Sequence, residues 1–399
     1  MLAGYLVNAS RYPRPSSHFV GEELEAFRVG VTRFVEQEMR PNAERWEQAG
    51  EVDRALYRRA AELGFFGLRY DPAYGGGGAD FLATTVLCEE LAKGDSIGAA
   101  VALMAHSEFA LSVMAAEASH DIKSEFLAPA LKGEKIGAIG VSEPGAGSDV
   151  ASIQCRAERD GADFLITGQK TFISNGPRAD FISLAVRTGG GGSGGISLIA
   201  FPTNTRGFSV GRRLQKLGAR ASDTGELFFD RARVPQRNLI GEEGQGMKYI
   251  LAHFAGERLV IAAFAVGAME RLIELGMAHA TARTAFKTRL RDFQTWRHRF
   301  AEMATKLEAT RLLAHQAAAL LSASSPAGEM AVSMAKLHAA GAVQSVAAEI
   351  LQLHGGFGQM EESPVPRYFR DVAGFSVGAG TSEIMREIIS RTLVRNMEG

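Results

Sequence analysis

The sequence predicts an α+β fold in which helices, an antiparallel β domain and further helices follow one another along the chain. Apolar residues recur at helical spacing up to about Lys132, short β-branched and aromatic runs begin near Gly137, and the helical period returns after Gly246. Such segregation argues for separate layers or domains rather than an alternating βα sheet. We therefore predict three domains, over residues 1–134, 135–245 and 246–399.

The N-terminal region is predicted to be amphipathic and helical. Its first apolar face comprises Leu24, Phe27, Val31, Phe34 and Val35. The glycine-rich stretch Pro72–Gly78 interrupts the pattern, which resumes at Thr84–Leu91.

The middle region contains short runs typical of strands, bounded by Gly, Asn and Asp. The predicted strands are Phe164–Thr167, Thr171–Ser174, Phe181–Val186, Ile196–Phe201 and Glu226–Phe229. The tract Gly189–Gly195 lies between two of them and indicates a mobile hairpin tip. In the C-terminal region, breaks at Ser322–Gly328 and Gly355–Pro366 separate the helices.

Composition excludes several classes of protein. The 399 residues carry 44 Lys plus Arg against 45 Asp plus Glu, which leaves no field to attract nucleic acid. Cys88 and Cys155 are the only cysteines, so a disulfide framework is excluded and a reduced, cytoplasmic protein is expected. Nine histidines without paired spacing argue against a metal site.

Membrane and targeting signals are not expected. Met1–Pro15 lacks the charged start and longer apolar run of a signal peptide. The most apolar stretch, Ile97–Ala105, has nine residues, whereas a membrane span needs about twenty. We expect a buried helix there and no membrane span.

Two segments carry residues suited to holding a ligand. Ile139–Asn175 contains GVSEPGAGSDV and GQKTFISN, in which small residues allow backbone amides to approach a ligand and serines offer hydroxyls. Leu351–Arg391 contains QLHGG and GAGTSEIM, and Thr381 is a plausible helix N-cap. By themselves, the glycines of the first segment favour a turn between strands.

Together, these segments resemble the acyl-CoA dehydrogenase family. EPGAGSD, GQK followed by ISNG, QLHGG and GAGTSEIM are four separated matches in the family's order, and the resemblance spans about Glu22 to Arg395. Trp46–Arg54 and QLHGG look most like the long-chain members, and GAGTSE is similar to the isovaleryl type. The resemblance implies a helical N-terminal domain, a β middle domain and a C-terminal four-helix bundle, in agreement with the order of segments.

The resemblance implies FAD-dependent α,β-dehydrogenation of an acyl-CoA, in which a carboxylate removes the α-proton. That carboxylate must work near a desolvated thioester, so a raised pKa is expected. In many members the base is a Glu just before the terminal Gly-Thr, where this chain has Ala379. Either another residue of this chain therefore serves as the base, or the chain does not catalyse the dehydrogenation.

Glu257 is the candidate replacement. It shares a helical face with four apolar residues: Ile250, Phe254, Ile261 and Phe264. A carboxylate on such a face is either a buried salt-bridge partner or a tuned base. Isovaleryl and long-chain members resemble this chain in carrying the base in a matching Glu-Arg-Leu helix, which favours the second interpretation.

The resemblance implies further site residues by matching positions. Ser142 and Ser174 match flavin hydrogen-bonding positions, and Phe172 replaces an aromatic residue, commonly Trp, that covers the ring. The Ala379 backbone N–H matches a donor to the thioester carbonyl. Other cofactor positions are Ser148, Thr381 and Glu383, and other substrate positions are Ser148, Phe254, Arg258 and Gly378. Capping and ion pairing are the structural alternatives for Ser148 and Arg258.

A further group matches positions that reach a neighbouring subunit's FAD: Arg283, Phe286, Gln294, Gln352, Gly355 and Gly356. Since two chains would share the cofactor, a homotetramer or homodimer is implied. Lys287 replaces the family's usual glycine after Phe286, which puts the local loop in question. An electron-transfer flavoprotein is the implied acceptor. An enzyme acting on carrier-protein-bound acyl groups and a non-dehydrogenating flavin-binding relative remain alternatives.

Overall fold

A computed structural model describes residues 11–15 and 18–398. The expectation that Met1–Pro15 carries no signal peptide depends largely on residues 1–10, which lie outside the described residues. The order of secondary structure follows the expected one, with helices up to Leu131, strands from Gly137 to Ile240 and helices from Gly246.

From residue 18 to residue 134, the structure has eight α-helices: α1 (Glu22–Phe34), α2 (Ala43–Ala49), α3 (Arg54–Glu62), α4 (Phe81–Leu91), α5 (Ile97–Met104), α6 (Ser112–Glu117), α7 (His120–Ile122) and α8 (Ala128–Leu131). The predicted apolar face of α1 is confirmed, because Val31, Phe34 and the following Val35 are buried. The predicted break contains a 3₁₀ turn at Pro72–Tyr74, and Asp80 then caps α4 through the Leu82 N–H.

A π-helical segment, Ala105–Ala110, joins α5 to α6 in one helical run. This run, Ile97–Glu117, has 21 residues, so the helix extends well beyond the nine-residue apolar stretch at its start, and its most apolar window has a mean hydropathy of 1.5. By length and composition alone the run could cross a membrane. However, 89% of its most apolar window is buried inside the protein, as in a core helix.

The middle part is an eight-stranded sheet. Its strands are β1 (Gly137–Gly140), β2 (Arg156–Asp160), β3 (Asp163–Ser174), β4 (Phe181–Arg187), β5 (Ile196–Pro202), β6 (Phe208–Arg213), β7 (Thr224–Pro235) and β8 (Leu239–Ile240). Their order is β6-β7-β3-β2-β4-β5-β8, with β1 beside β4. All five predicted strands fall within β3, β4, β5 and β7, and Gly189–Gly195 connects the antiparallel pair β4 and β5 as expected.

The prediction of a purely antiparallel sheet is wrong in one respect. β1 runs parallel to β4, and β2 meets β4 in parallel at one position. A tight turn cannot join parallel neighbours, and here the β2–β3 hairpin intervenes between β1 and β4. The sheet is therefore mixed, with mostly antiparallel pairs.

The C-terminal part comprises α9 (Gly246–Ala282), the short hairpin β9 (Thr284–Ala285) and β10 (Thr288–Arg289), α10 (Gln294–Ser322), α11 (Gly328–His354), α12 (Pro364–Asp371) and α13 (Ser382–Glu398). Helix α11 packs against α9, α10 and α13, as expected of a four-helix bundle. Helix α4 also packs on α9 and α10, so the two helical parts share one hydrophobic core. A second core lies within the sheet.

Buried ion pairs connect the N-terminal helices to the bundle. Glu270 of α9 receives Lys93 at 2.9 Å and Arg311 of α10 at 2.5 Å. Arg28 of α1 lies 3.0 Å from Glu90 of α4, which in turn pairs with Lys93 at 2.6 Å. These charges compensate one another, which a buried charge requires. They fix the position of α9 relative to α1, α4 and α10.

Candidate active site

Glu257 lies on the buried side of α9. Ile250, Ile261 and Phe264 are buried on the same face, and Phe254 is half-buried. The predicted apolar face is therefore present, with a carboxyl group in its middle. Only 7% of the Glu257 surface is exposed.

The Glu257 carboxyl group has no hydrogen-bond or ion-pair partner among the residues that the structure describes. Its neighbour Arg258 is turned toward Glu329, at 3.6 Å. Burial raises the pKa of Glu257 to about 8, the charge of Arg258 opposes the rise, and the charge of Glu108 adds to it. A salt-bridge role for Glu257 thus finds no support, and its pKa is suited to proton transfer near neutral pH.

A left-handed turn precedes α13. Ala379 has a φ of 54° and Gly380 a φ of 92°. Within the described part of the chain, the Ala379 N–H donates to no acceptor, which leaves it available to a ligand. The Thr381 hydroxyl accepts from the Ile384 N–H at 3.3 Å, so the predicted N-cap is confirmed.

One buried cation supports this turn, and a second lies close to the first. Lys336 of α11 is fully buried and donates to the carbonyl oxygen of Gly380. Burial and the charge of Arg258 lower the pKa of Lys336 to about 8. The Nε and Nη1 atoms of Arg258 are buried without hydrogen-bond partners among the described residues. Unpaired buried donors are costly, so these atoms fit a site that receives a polar ligand.

The two motifs of the segment Ile139–Asn175, GVSEPGAGSDV and GQKTFISN, meet at the ends of β1 and β3. The Thr171 N–H donates to the carbonyl oxygen of Ser142 at 3.0 Å. A bulge in β3 gives Phe172 a φ of 61° and leaves it 70% exposed, beside Ser174. The hydroxyls of Ser142 and Ser174 donate to no described residue. An apolar ring flanked by two free hydroxyls fits a planar, partly polar ligand.

Residues of the same motifs hold this surface in place. The carboxylate of Glu143 accepts from the Gln154 and Cys155 backbone N–H groups at 2.6 and 3.0 Å. Fully buried Lys170 lies 2.7 Å from Glu143 and also donates to the Val141 carbonyl oxygen at 3.0 Å. The Glu of SEPG and the Lys of GQK are therefore scaffold residues.

These two motifs pack against the helical run Ile97–Glu117, which also carries Glu108. Asn175, which follows Ser174, donates to the Ala102 carbonyl oxygen at 2.9 Å. Since the charge of Glu108 acts on Glu257, the motifs around Ser142 and Ser174 and the candidate base Glu257 lie near the same helical run.

Three other predicted residues are exposed. Ser148 and Gly378 lie on the surface, and Glu383 pairs with Arg386 at 3.1 Å. The Ser148 hydroxyl accepts a hydrogen bond from no described backbone N–H group, which leaves its capping alternative without support.

The residues expected to reach a second subunit gather at one end of the bundle. The rings of His279 and His354 stack with their centroids 4.2 Å apart, so the C-terminal ends of α9 and α11 meet. Exposed residues at these ends and at the start of α10 are Arg283, Phe286, Gln294, Gln352, Gly355 and Gly356. Phe286 is 93% exposed, and both Phe286 and Lys287 have positive φ in the hairpin turn. The turn forms despite the missing glycine.

Sequence reasoning missed three charged or polar neighbours of Glu257: Arg69, Glu108 and His253. Burial and the charge of Arg69 lower the pKa of His253 to about 4. His253 could have been found from its spacing of four residues before Glu257 on the same helix. Arg69 and Glu108 lie 39 residues apart on other elements, and no pattern in the sequence connects them.

The three domain profiles of one family match almost the whole chain. They are the acyl-CoA dehydrogenase N-terminal domain over residues 21–134, the middle domain over 138–232 and the C-terminal domain over 244–394. The chain belongs to the acyl-CoA dehydrogenase family. It is an oxidoreductase of a flavoprotein family, and its expected substrates are acyl-CoA thioesters.

Individual family members are similar over nearly the full length. The mitochondrial long-chain specific acyl-CoA dehydrogenase of Sus scrofa is 36% identical over 94% of this chain and 87% of its own. An acyl-CoA dehydrogenase structure from Geobacillus kaustophilus has a TM-score of 0.89 and 38% identity, covering 95% of this chain and all of that one. A glutaryl-CoA dehydrogenase from Mycobacterium smegmatis in complex with FADH2 has a TM-score of 0.88 and 28% identity, covering 94% and 95%.

Proposed function

We propose that this acyl-CoA dehydrogenase binds FAD and converts a fatty or branched acyl-CoA to its trans-2-enoyl-CoA, with Glu257 removing the α-proton. The observation that carries the proposal is the buried, unpaired carboxyl group of Glu257, whose pKa is raised to about 8. A base with that pKa is partly ionised at neutral pH and is strong enough to accept a proton from a polarised thioester.

The residues at the ends of β1 and β3 fit the flavin. Ser142 and Ser174 would hydrogen-bond the polar edge of the ring system, and Phe172 would cover its face. When bound, FAD supplies the acceptor for the hydride that leaves the β-carbon. Thr381 and Glu383, at the start of α13, are further proposed cofactor contacts.

The Ala379 turn polarises the thioester. Its free N–H would donate to the thioester carbonyl oxygen, where negative charge develops as the α-proton leaves. Lys336 holds this turn through Gly380, and the buried cation Arg258 lies close enough to influence both Lys336 and Glu257. Phe254, Gly378 and Ser148 are proposed to line the path of the substrate.

The proposal includes a second subunit. Arg283, Phe286 and Gln294, with Gln352, Gly355 and Gly356, would contact the FAD of a neighbouring copy in a homotetramer or homodimer. An electron-transfer flavoprotein is the proposed acceptor of the electrons. A cytoplasmic location remains an expectation from the two free, buried cysteines.

Two alternatives remain distinct. The free carboxyl group of Glu257 argues against a flavin-binding relative without dehydrogenase activity, since that role needs no base. An enzyme that acts on a carrier-protein thioester would use the same residues, so only the substrate distinguishes it.

Anaerobic reduction of the bound flavin tests the proposed function. Purified holoenzyme is mixed with acyl-CoAs of graded length and branching, and with the same acyl groups on a carrier protein. We expect bleaching of the flavin absorbance by at least one acyl-CoA and formation of its trans-2-enoyl product. Bleaching only by carrier-bound substrate would favour the second alternative, and no bleaching would favour the binding protein.

A further inference from the structure

A buried ion pair lies between the loop after α3 and the helical run Ile97–Glu117. Arg69 Nη2 donates to Glu108 Oε2 at 2.6 Å, and the side chains are 16% and 2% exposed. Replacing such a pair by apolar residues is often neutral or stabilising, so stability alone does not explain it.

This pair borders the space beside Glu257. The Arg69 guanidinium lies 3.8 Å from the centroid of the Phe81 ring. A Cβ at Gly256, the residue before Glu257, would lie 3.3 Å from Phe81 and 3.8 Å from Arg69 Nη2. The pair therefore lies beside the part of α9 that carries Glu257, and we expect an acyl group that presents its α-carbon to Glu257 to pass close to it.

Arg69 retains unused hydrogen-bond donors. Glu108 occupies one of its five N–H groups. The Nε atom is buried without a partner among the described residues, and Nη1 donates to none of them. A ligand atom that accepts from this guanidinium would relieve an unfavourable state, whereas a methylene group would not.

The charges around the pair favour a neutral acceptor. Arg69 and Glu108 compensate each other, and Glu257 becomes negative when it acts as a base. His253 adds no positive charge near neutral pH, since its pKa is lowered to about 4. A carboxylate on the acyl chain would bring a further negative charge close to Glu108 and Glu257.

We propose that the Arg69–Glu108 pair selects acyl-CoA substrates whose acyl chain carries a neutral hydrogen-bond acceptor, such as an ether, hydroxyl or carbonyl oxygen. The selection is against plain hydrocarbon chains of equal length and against chains ending in a carboxylate. This inference rests on the proposed function, because it names the substrate class of the same site.

The test compares matched substrates of the native holoenzyme. In one series of acyl-CoAs, an ether oxygen replaces a single methylene at successive positions beyond the β-carbon; the plain chain and an ω-carboxylate chain complete the set. Because ether chains are less apolar, a fully apolar pocket would prefer the hydrocarbon. We expect kcat/KM to be at least about tenfold higher for one ether position than for the plain chain, and lowest for the carboxylate.

A double variant, Arg69→Leu with Glu108→Leu, removes the pair without leaving one charge buried alone. We expect it to prefer the plain chain. The control, Arg59→Leu with Glu62→Leu, removes an exposed pair of 2.9 Å on α3 and should keep the native order.

Preference of the native enzyme for the plain chain at every position would overturn the inference, even if the double variant did not fold. An unchanged order in a folded double variant would also overturn it. If no acyl-CoA reduced the flavin of the native enzyme, the proposed function itself would fail. Equal reduction by all chains is a different result, because it would overturn only the inference about the Arg69–Glu108 pair.

Discussion

At the scale of single residues, the proposal that Glu257 is the base depends on two observations of different kinds. The sequence predicts the apolar face around Glu257 from its spacing alone, and the structure confirms that face. The absence of an ion pair could not be predicted, because Arg258 is adjacent and has the right charge. Only the fold turns Arg258 toward Glu329, at 3.6 Å, and leaves Glu257 unpaired.

The raised pKa of Glu257 predicts how activity depends on pH. The base acts only when ionised, and with a pKa of about 8 roughly a tenth is ionised at pH 7. We expect kcat/KM to rise about tenfold from pH 6 to 7, about fivefold from pH 7 to 8, and to level off above pH 9.

Lys336 must be excluded as the source of this rise, because its pKa is also about 8. The profile is therefore measured for Lys336→Met as well, in which the rise should persist at the same pH. A flat native profile, or a rise that disappears with Lys336, would contradict the assignment to Glu257.

At the scale of elements, the structure differs from the sequence prediction in local backbone conformation. Two strands were predicted within residues 164–174, where the structure has one strand, β3, with a bulge. The bulge gives Phe172 a positive φ and turns its ring outward. Positive φ is uncommon for a non-glycine residue, so neither this feature nor the conformation of Ala379 was expected from residue type.

Lys336 connects α11 to the turn that contains Ala379. Lys336→Met keeps the length of the side chain and removes its bond to the Gly380 carbonyl oxygen, so the Ala379 N–H should lose its fixed orientation. We expect kcat to fall about 10- to 100-fold with little change in KM, since the donor acts mainly on charge that develops in the transition state.

A matched control is Lys306→Met, which removes a 2.8 Å bond between Lys306 of α10 and Ser345 of α11. It should leave both kinetic constants near their native values. Equal losses in the two variants would indicate a general effect on the bundle rather than positioning of the turn.

At the scale of the whole molecule, the order of helices, sheet and helices could be predicted because each part has its own residue periodicity. The parallel pairing of β1 with β4 could not, since it depends on a crossover between distant segments. The ion pairs around Glu270 could not be predicted either, because their members come from different helices.

The proposed assembly of subunits can be tested at Phe286. Phe286 is 93% exposed, and an aromatic ring at the tip of a turn offers a contact to a neighbouring subunit. We expect Phe286→Asp to reduce both the mass measured by light scattering and the flavin retained on gel filtration. Val210→Asp provides a control on the exposed strand β6. Native mass and flavin content in Phe286→Asp would show that Phe286 contacts no neighbouring subunit.

The most direct test of the central claim is the single-turnover rate of flavin reduction at pH 9, where Glu257 is mostly ionised. Glu257→Gln removes the base at nearly constant volume, and Glu274→Gln changes an equally buried carboxylate further along α9. We predict that Glu257→Gln binds FAD and acyl-CoA but reduces the flavin at least about 100-fold more slowly, while Glu274→Gln remains close to native. Native rates in Glu257→Gln would contradict the assignment of Glu257 as the base.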